Sequence, residues 1–332
     1  MSYEFFLNHF KLIFLFFTTS YHWLVTYWER YQQFAPGKFI DLGGYKIHYY
    51  HQGKGSPTVI IDHSLGGIEG YFLIDEIAKI TQVFIYDRPG YGWSDSSPKK
   101  RCSQEIVYEL DRILKKAEIK PPYLLVGDSF GSYNVRLYAH HFPEKVCGIV
   151  LTDGLHEKAM LKLPLSIKLL KLFFFSGFLM SILGATLGLI RLLGNLQVFE
   201  LIKPQLKKFN RDNLIMVKQS FYHPKHWLTM AREIWNLETS ATQVKEASNL
   251  GNIPLISIKS KTFFKQSIFT FFLPVKTVNK LRDSIHIELL KLSSNSSQIS
   301  ANKSSHFVWI DEPQIIISAI KQLVNQSNSN NL

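Results

Sequence analysis

The chain has 332 residues, of which 46% are hydrophobic and 19% charged, a balance that excludes a disordered protein and allows a sizeable buried core. Its formal net charge is +12, yet no known nucleic-acid motif appears, so we predict no nucleic-acid partner. Its two cysteines, Cys102 and Cys147, cannot form a disulfide framework or a metal cage.

The first predicted element is an apolar segment, residues 12–28 (LIFLFFTTSYHWLVTYW), which carries no formally charged side chain. Its 17 residues are the short limit for a membrane span, and the Trp and Tyr at its far end suit a water–lipid interface. Because no small-residue cleavage site follows, we predict an uncleaved anchor or interfacial helix within residues 1–36. A helix docked on the domain is the alternative.

Buried strands and helices alternate along most of the remaining chain. Residues 38–53 alternate in polarity and turn at Gly43 and Gly44, which predicts a hairpin. Apolar runs predict strands in SPTVIIDHS, TQVFIYD, PPYLLVGDS, KVCGIVLTDG and IPLISIKS, with a short strand over residues 298–301. Apolar spacing predicts helices over residues 103–117, 130–141, 275–292 and 313–324. This alternation indicates an α/β fold whose mostly parallel sheet is covered on both faces.

A long segment of mostly helical character interrupts this alternation. We predict a sheet domain in two parts, residues 37–154 and 251–325, a helical cap over residues 155–250, and a disordered tail over residues 326–332. The basic and apolar first part of the cap favours an anionic membrane surface as a partner, with a solvated basic face as the alternative.

The cap contains a second apolar segment, residues 172–190 (LFFFSGFLMSILGATLGLI), whose 19 uncharged residues are long enough to span a membrane. A single crossing would separate Ser129 from His306, two residues of one predicted site. We therefore expect buried or membrane-dipping helices of the cap.

A serine stands between a predicted strand and a predicted helix in the segment YLLVGDSFGSYNVRLYAHHF. Ser129 lies at the carboxyl end of its strand, which is where open parallel sheets bind their ligands. Gly127 and Gly131 flank it in the pattern G-x-S-x-G, since a side chain at either position would collide with the adjoining strand or helix. The amino end of the helix favours negative charge that develops at the site. The pattern predicts a nucleophilic serine.

On these residues the chain resembles the α/β-hydrolase superfamily over about residues 37–324, and is most similar to prokaryotic hydrolases with an amino-terminal membrane segment. The loop DRPGYGWSD and the late segment SSHFVWIDEP also resemble parts of these enzymes. The chain departs from the group at Asp128, where histidine is common, and at Ser132, where glycine is common. The resemblance implies the α/β-hydrolase fold with a helical cap and an esterase-like or lipase-like serine hydrolase.

A nucleophilic serine needs a base within hydrogen-bond reach and an acid that orients the base, and in this fold they follow in the order serine, acid, histidine. His306 lies in a polar loop after the last strand and is the predicted base. The usual place of the acid, after IPLISIKS, holds no Asp or Glu. Asp153, at the end of the strand after the elbow helix, is therefore the predicted acid, with Asp283 as runner-up. The alternative is that Asp153 only caps the next helix.

Two backbone N–H groups are predicted to bind the oxyanion that forms during acyl transfer. One belongs to Phe130, the residue after the nucleophile, and the other to Leu65, where Gly66 and Gly67 let the chain turn back. A Gly-Gly turn without a catalytic role is the alternative.

These expectations converge on a membrane-associated serine hydrolase that cleaves a lipophilic, possibly lipid-like ester through an acyl-enzyme, without a metal or cofactor. Its predicted partners are the ester and a membrane surface, and no protein partner is identifiable. An acyltransferase, an amide or lactone hydrolase, and a non-catalytic membrane-bound binding protein remain as alternatives. Haloalkane dehalogenases and epoxide hydrolases are disfavoured, because they need a carboxylate where Ser129 stands.

Overall fold

The centre of the molecule is an eight-stranded sheet in the order β1-β2-β4-β3-β5-β6-β7-β8. The computed structural model describes residues 3–32, 35–264 and 273–329. The strands are β1 Lys38–Asp41, β2 Lys46–Gln52, β3 Thr58–Asp62, β4 Val83–Tyr86, β5 Tyr123–Asp128, β6 Val146–Thr152, β7 Leu255–Ser260 and β8 Ser296–Ala301. Strands β3 to β8 are parallel to their neighbours, whereas β2 runs antiparallel to both β1 and β4. The predicted α/β fold with a mostly parallel sheet is confirmed.

The predicted hairpin joins β1 to β2. Gly43 and Gly44 both have positive φ, at 99° and 92°, a backbone conformation that other residues rarely adopt. The Asp41 carboxylate accepts hydrogen bonds from both of their N–H groups, at 2.6 and 3.0 Å. The turn is therefore fixed by its own sequence.

Fourteen helices surround the sheet in the described part of the chain. They are α1 Tyr3–Gln32, α2 Gly70–Ala78, α3 Ser103–Lys116, α4 Gly131–His141, α5 Glu157–Met160, α6 Leu165–Thr186, α7 Leu189–Asn195, α8 Val198–Ile202, α9 Arg211–Tyr222, α10 Pro224–Trp235, α11 Leu237–Val244, α12 Val275–Leu289, α13 Val308–Asp311 and α14 Pro313–Ser329. Helix α2 is not among the helices predicted from the sequence. The last helix extends beyond the predicted end at residue 324, so residues 326–329 of the predicted tail are helical, and residues 330–332 lie outside the described residues.

Alternate residues of the central strands enter two separate apolar layers. Ile60 of β3 and Leu125 of β5 pack with α3 and α4 on one face, whereas Val59 and Val126 pack with α2 and α14 on the other. Strands that are buried on both faces consist of continuous apolar runs, which explains why the sequence reveals them so clearly.

The start of α4 lies unusually close to the end of β3. A Cβ atom at Gly131 would be 2.2 Å from the carbonyl oxygen of Asp62 and 2.8 Å from that of His63. At Gly127 a Cβ atom would be 2.5 Å from a methyl carbon of Val135. Only glycine allows this approach, which brings the loop after β3 beside the residue that precedes α4.

Arg88, which follows β4 in the loop DRPGYGWSD, links the sheet to the cap. Its guanidinium is fully buried and donates to the carboxylates of Asp62 and Glu233, at 2.9 and 3.0 Å. It also donates to the backbone carbonyls of His63 and Ser64, at 2.6 and 2.7 Å. One buried cation thus fixes the loop after β3 and holds α10 of the cap against it.

The amino-terminal helix α1 docks on the cap through a second buried arginine. Arg191 of α7 donates two hydrogen bonds of 2.8 Å to the Glu29 carboxylate and one of 3.0 Å to the Thr26 hydroxyl. In the described chain, α6 is the one helix long and apolar enough to cross a membrane, by length and composition only. The predicted amino-terminal anchor is therefore not supported, and the docked helix that we gave as the alternative is present.

The second apolar segment, residues 172–190, forms most of α6 and the start of α7. We expected buried or membrane-dipping helices here. Burial is wrong, since Ala185 is the one buried residue of α6, whereas membrane dipping stays a prediction. Strand β6 precedes this helix and β7 follows it, and the two strands pair side by side. A single crossing of a membrane by α6 is thus excluded by the sheet itself.

The close approach of α4 to the end of β3 at Gly131 leads to a prediction about stability. We expect Gly131→Ala to lower the free energy of unfolding by more than about 2 kcal/mol, because the new methyl group meets backbone oxygens that cannot move alone. Gly177→Ala is the matched control, since nothing lies within 4 Å of its Cβ position on α6 and alanine is the better helix former. Urea unfolding measures both, and equal stabilities would contradict the close approach.

Candidate active site

Ser129 lies on a sharp turn between β5 and α4. Its φ is 47°, in the left-handed region that non-glycine residues rarely adopt, and such strain is often found at functional positions. Its N–H donates to the carbonyl of Thr152 on the neighbouring strand, at 2.9 Å, which helps to hold the turn. The side chain is 7% exposed. A single hydroxyl is thereby held at the carboxyl edge of the sheet.

The structure brings His306 and Asp153 to this hydroxyl. His306 Nε2 lies 2.9 Å from Ser129 Oγ, and His306 Nδ1 lies 2.6 Å from Asp153 Oδ2. Because an ionised carboxylate only accepts hydrogen bonds, Nδ1 carries the proton, and Nε2 is free to accept from the serine hydroxyl. The three side chains therefore form a line along which a proton can pass from serine to imidazole.

Asp153, the predicted acid, directly follows β6 at the carboxyl edge of the sheet. Its φ is 42°, and its N–H donates to the carbonyl of Ile258 on β7, at 2.8 Å. The alternative role as a helix cap is not seen, because the residue that caps α5 is His156. Asp283, the runner-up, lies on α12 with 54% of its side chain exposed, and pairs with Lys259 at 2.8 Å. The structure thus places Asp153, and not Asp283, beside His306.

A second histidine contacts Asp153, and the sequence analysis did not identify it. His286 of α12 donates from Nε2 to Asp153 Oδ1, at 3.1 Å. The Ser257 hydroxyl lies 3.0 Å from His286 Nδ1, so both ring nitrogens of His286 have a hydrogen-bond partner. Its signal in the sequence is its spacing on α12, since Val278, Arg282, Ile285 and Leu289 are the other buried residues of that helix.

The charge of Asp153 is stabilised from several sides. Arg282 Nη1 lies 3.5 Å from Asp153 Oδ1, and the N–H of Ser260 donates to the same oxygen at 3.2 Å. Burial alone would raise the pKa of Asp153, but hydrogen bonds from His286 and His306 outweigh it and hold the pKa well below its usual value. Asp153 is therefore ionised at neutral pH.

The two predicted oxyanion donors lie on either side of the close approach between β3 and α4. Phe130 directly precedes α4, and Leu65 lies in the loop whose carbonyls bind Arg88. Gly66 has a φ of 73°, so the chain turns back after Leu65. Within the described residues, neither the N–H of Phe130 nor that of Leu65 donates a hydrogen bond. In the described part of the chain, both N–H groups are therefore without a protein acceptor.

Asp128, the residue before the nucleophile, is buried against a second carboxyl group. Asp128 is 5% exposed and Glu69 is 1% exposed, and their side chains share a hydrogen bond. Burial first, and then the negative charge of Glu69, raise the pKa of Asp128 well above its usual value. Glu69 also accepts from the N–H of Ser64 at 2.6 Å. A protonated Asp128 therefore joins the elbow to the loop that carries Leu65.

Among the described residues, one group of side chains could hold a metal ion. The ligand atoms of His140, His141 and Glu246 lie within 4.8 Å of one another at the surface. These histidines end the 11-residue helix α4, which puts them roughly 16 Å from Ser129 along the helix. The group is separate from the site around Ser129.

Comparisons with known proteins agree with this architecture. A family model described as the alpha/beta hydrolase fold matches residues 57–189. The uncharacterized protein YqjL of Bacillus subtilis is 25% identical over 289 residues, which cover 85% of this chain and 90% of that protein. An uncharacterized vacuolar membrane protein of Saccharomyces cerevisiae is 33% identical over 120 residues, 33% of this chain but only 18% of that protein. The solved structure of the epoxide hydrolase CorEH has a TM-score of 0.64 at 16% identity, over 86% of this chain and 97% of that chain.

The raised pKa of Asp128 beside Glu69 leads to a prediction about how stability changes with pH. Because the pKa of Asp128 is raised in the folded state, its stabilising contribution is present at low pH and is lost as pH rises through that pKa. We expect the wild type, compared with Asp128→Asn, to lose unfolding free energy as the pH rises above about 4, the usual pKa of an aspartate in an unfolded chain.

Urea unfolding across this pH range measures the difference. Asp75→Asn, an exposed substitution on α2, is the matched control and should keep the wild-type pH dependence. Parallel curves for the wild type and Asp128→Asn would show that no proton is shared at this position.

Proposed function

From the α/β-hydrolase fold of this chain, we propose that it is a serine hydrolase that cleaves a lipophilic carboxylic ester. The observation that carries the proposal is the hydrogen-bonded line of Ser129, His306 and Asp153 at the carboxyl edge of the sheet. The fold alone does not define an activity, since many chemistries share it. These side chains, however, meet the requirements of nucleophilic acyl transfer in both distance and donor direction.

In the proposed reaction, Ser129 Oγ attacks the ester carbonyl carbon while His306 Nε2 takes the hydroxyl proton. The carbonyl oxygen becomes an oxyanion, which accepts from the N–H groups of Phe130 and Leu65. Asp153 stays ionised and stabilises the imidazolium that forms. His306 then gives its proton to the leaving alcohol oxygen as the C–O bond breaks, which leaves an acyl group on Ser129. Water, deprotonated by His306, releases the acid in the second half of the reaction.

An ester reaction fits the elbow better than epoxide opening, although one similar structure is an epoxide hydrolase. Opening an epoxide on this fold requires a carboxylate nucleophile at the elbow. Here the strained position with a φ of 47° is Ser129, whereas the neighbouring Asp128 is directed toward Glu69. The proposed nucleophile is therefore the hydroxyl.

Membrane association is part of the proposal. Two findings support it: the exposed apolar helix α6, and the partial similarity to a yeast vacuolar membrane protein. An enzyme at a membrane surface has direct access to esters with long acyl chains, which dissolve poorly in water. The proposed substrate is accordingly lipophilic.

A fluorophosphonate probe tests the nucleophile, because it forms a covalent bond only with an activated serine. We expect the wild type to be labelled and Ser129→Ala to remain unlabelled. Ser248→Ala, an exposed serine, is the control and should be labelled like the wild type. Absence of labelling in the wild type would refute the proposed chemistry, and so would labelling of Ser129→Ala.

The identity of the acid is tested by two asparagine variants. We expect Asp153→Asn to reduce kcat on the order of 10³-fold to 10⁴-fold, since the amide favours the wrong tautomer of His306. Asp283→Asn, on the exposed side of α12, should stay within about twofold, because it lies outside the proton path. A large loss in Asp283→Asn alone would overturn the assignment.

His286 is a positioning residue in this scheme, and it has its own test. His286→Ala should lower kcat roughly tenfold with little change in KM, the effect of one hydrogen bond to a charged group. His286→Gln, which still donates to Asp153, should recover most of the loss. Equal kcat values in the two variants would assign His286 to packing alone.

A further inference from the structure

Helix α6 carries apolar side chains around most of its circumference, apart from Lys168 and Lys171 near its start, and it is exposed along most of its length. One side packs on α10, where Phe175 meets Trp235 with ring centres 5.4 Å apart. The remaining surface carries large exposed apolar side chains: Leu165, Leu169, Leu172, Met180 and Leu183. Monomeric soluble proteins rarely expose a large contiguous apolar patch. This face of α6 therefore needs a partner.

Helix α1 adds a second exposed apolar surface at the end of α6. Trp23 donates from its indole N–H to the carbonyl of Thr186, at 3.2 Å, and the backbone of Thr18 lies against Gly188. Before this junction α1 exposes large apolar side chains around most of its circumference: Leu12, Ile13, Phe14, Phe16 and Phe17. The two helices thus meet at one corner, and we call their exposed apolar residues together the α1–α6 surface.

Basic side chains lie beside this surface. Lys162 and Lys168 flank the start of α6, and both are exposed without an acidic partner among the described residues. Lys207 and Arg211 line a cleft of about 670 Å³ that also borders α1. Apolar helices with adjacent cations are typical of proteins that lie in the headgroup region of an anionic bilayer. The charge therefore matches a lipid surface better than a second copy of this basic chain.

A row of aromatic side chains connects this surface to the site. The ring of Phe263 stacks on the imidazole of His306, with centres 4.2 Å apart. Phe264 lies 4.6 Å from Phe263 and 6.2 Å from Phe174, which belongs to α6. These rings form a continuous apolar connection between α6 and His306.

We propose that the α1–α6 surface lies in one leaflet of an anionic bilayer, and that the row Phe174, Phe264 and Phe263 leads the acyl chain of a membrane-dissolved ester to Ser129. The docking mode is monotopic, since the paired strands β6 and β7 exclude a single crossing by α6. The choice of substrate rests on the proposed ester hydrolysis, whereas the docking of the surface does not.

Vesicle flotation of the full chain tests the docking. We expect the wild type to float with phosphatidylglycerol vesicles more than with phosphatidylcholine vesicles. The double variant Met180→Glu with Leu183→Glu should bind at least about tenfold more weakly, because it places charges on the inserted face. Ile287→Glu, an equally exposed apolar position on α12, is the control and should float like the wild type. Docking is refuted if the wild type stays in solution, or if it forms a dimer through this face that the double variant dissolves.

Paired phenylalanine variants test the aromatic row. Phe174→Ser should lower hydrolysis of a long-chain ester in vesicles at least about fivefold relative to a short water-soluble ester, because one ring of the row is lost. Phe175→Ser, which loses the contact with Trp235 instead, should lower both activities equally. If Phe174→Ser and Phe175→Ser have the same ratio of long-chain to short-chain activity, then the aromatic row does not lead the acyl chain to the site. If the wild type cleaves neither ester yet still floats with vesicles, then the proposed hydrolysis fails and the docking stands.

Discussion

The arrangement of the site depends on one buried negative charge, the carboxylate of Asp153. A carboxylate that leaves water costs several kcal/mol unless hydrogen bonds and opposite charges replace its hydration. The replacement comes from three separate parts of the chain: His306 after β8, His286 on α12, and the N–H of Ser260 at the end of β7. The hydrogen bonds that keep Asp153 charged therefore also orient the imidazole of His306 toward Ser129.

The opposite side of the site is held by a buried positive charge. Arg88 binds the backbone carbonyls of the loop after β3, and also Glu233 of the cap. Because Gly131 allows α4 to lie directly against that loop, the nucleophile and the proposed oxyanion donors share one rigid support. The cap is joined to this support through the same guanidinium.

Much of the fold could be predicted from the sequence, because its signals are local. Continuous apolar runs gave the buried strands, and the glycines around Ser129 indicated the close approach of α4. The role of His286 was not accessible, since it depends on which face of α12 meets β7. The surroundings of α6 were not accessible either, because an apolar helix has the same composition whether protein or lipid covers it. Asp153 could be favoured over Asp283 only from its place at a strand end.

The contact between Arg191 and Glu29 has a consequence for biosynthesis. These residues are 162 positions apart, so α1 leaves the ribosome long before the helix that will hold it has been made. At a synthesis rate of about 5–20 residues per second, the part of α1 that holds Glu29 is synthesised roughly 8–30 s before Arg191. Because α7 is synthesised so much later, the docking of α1 on the cap is necessarily a late step of folding.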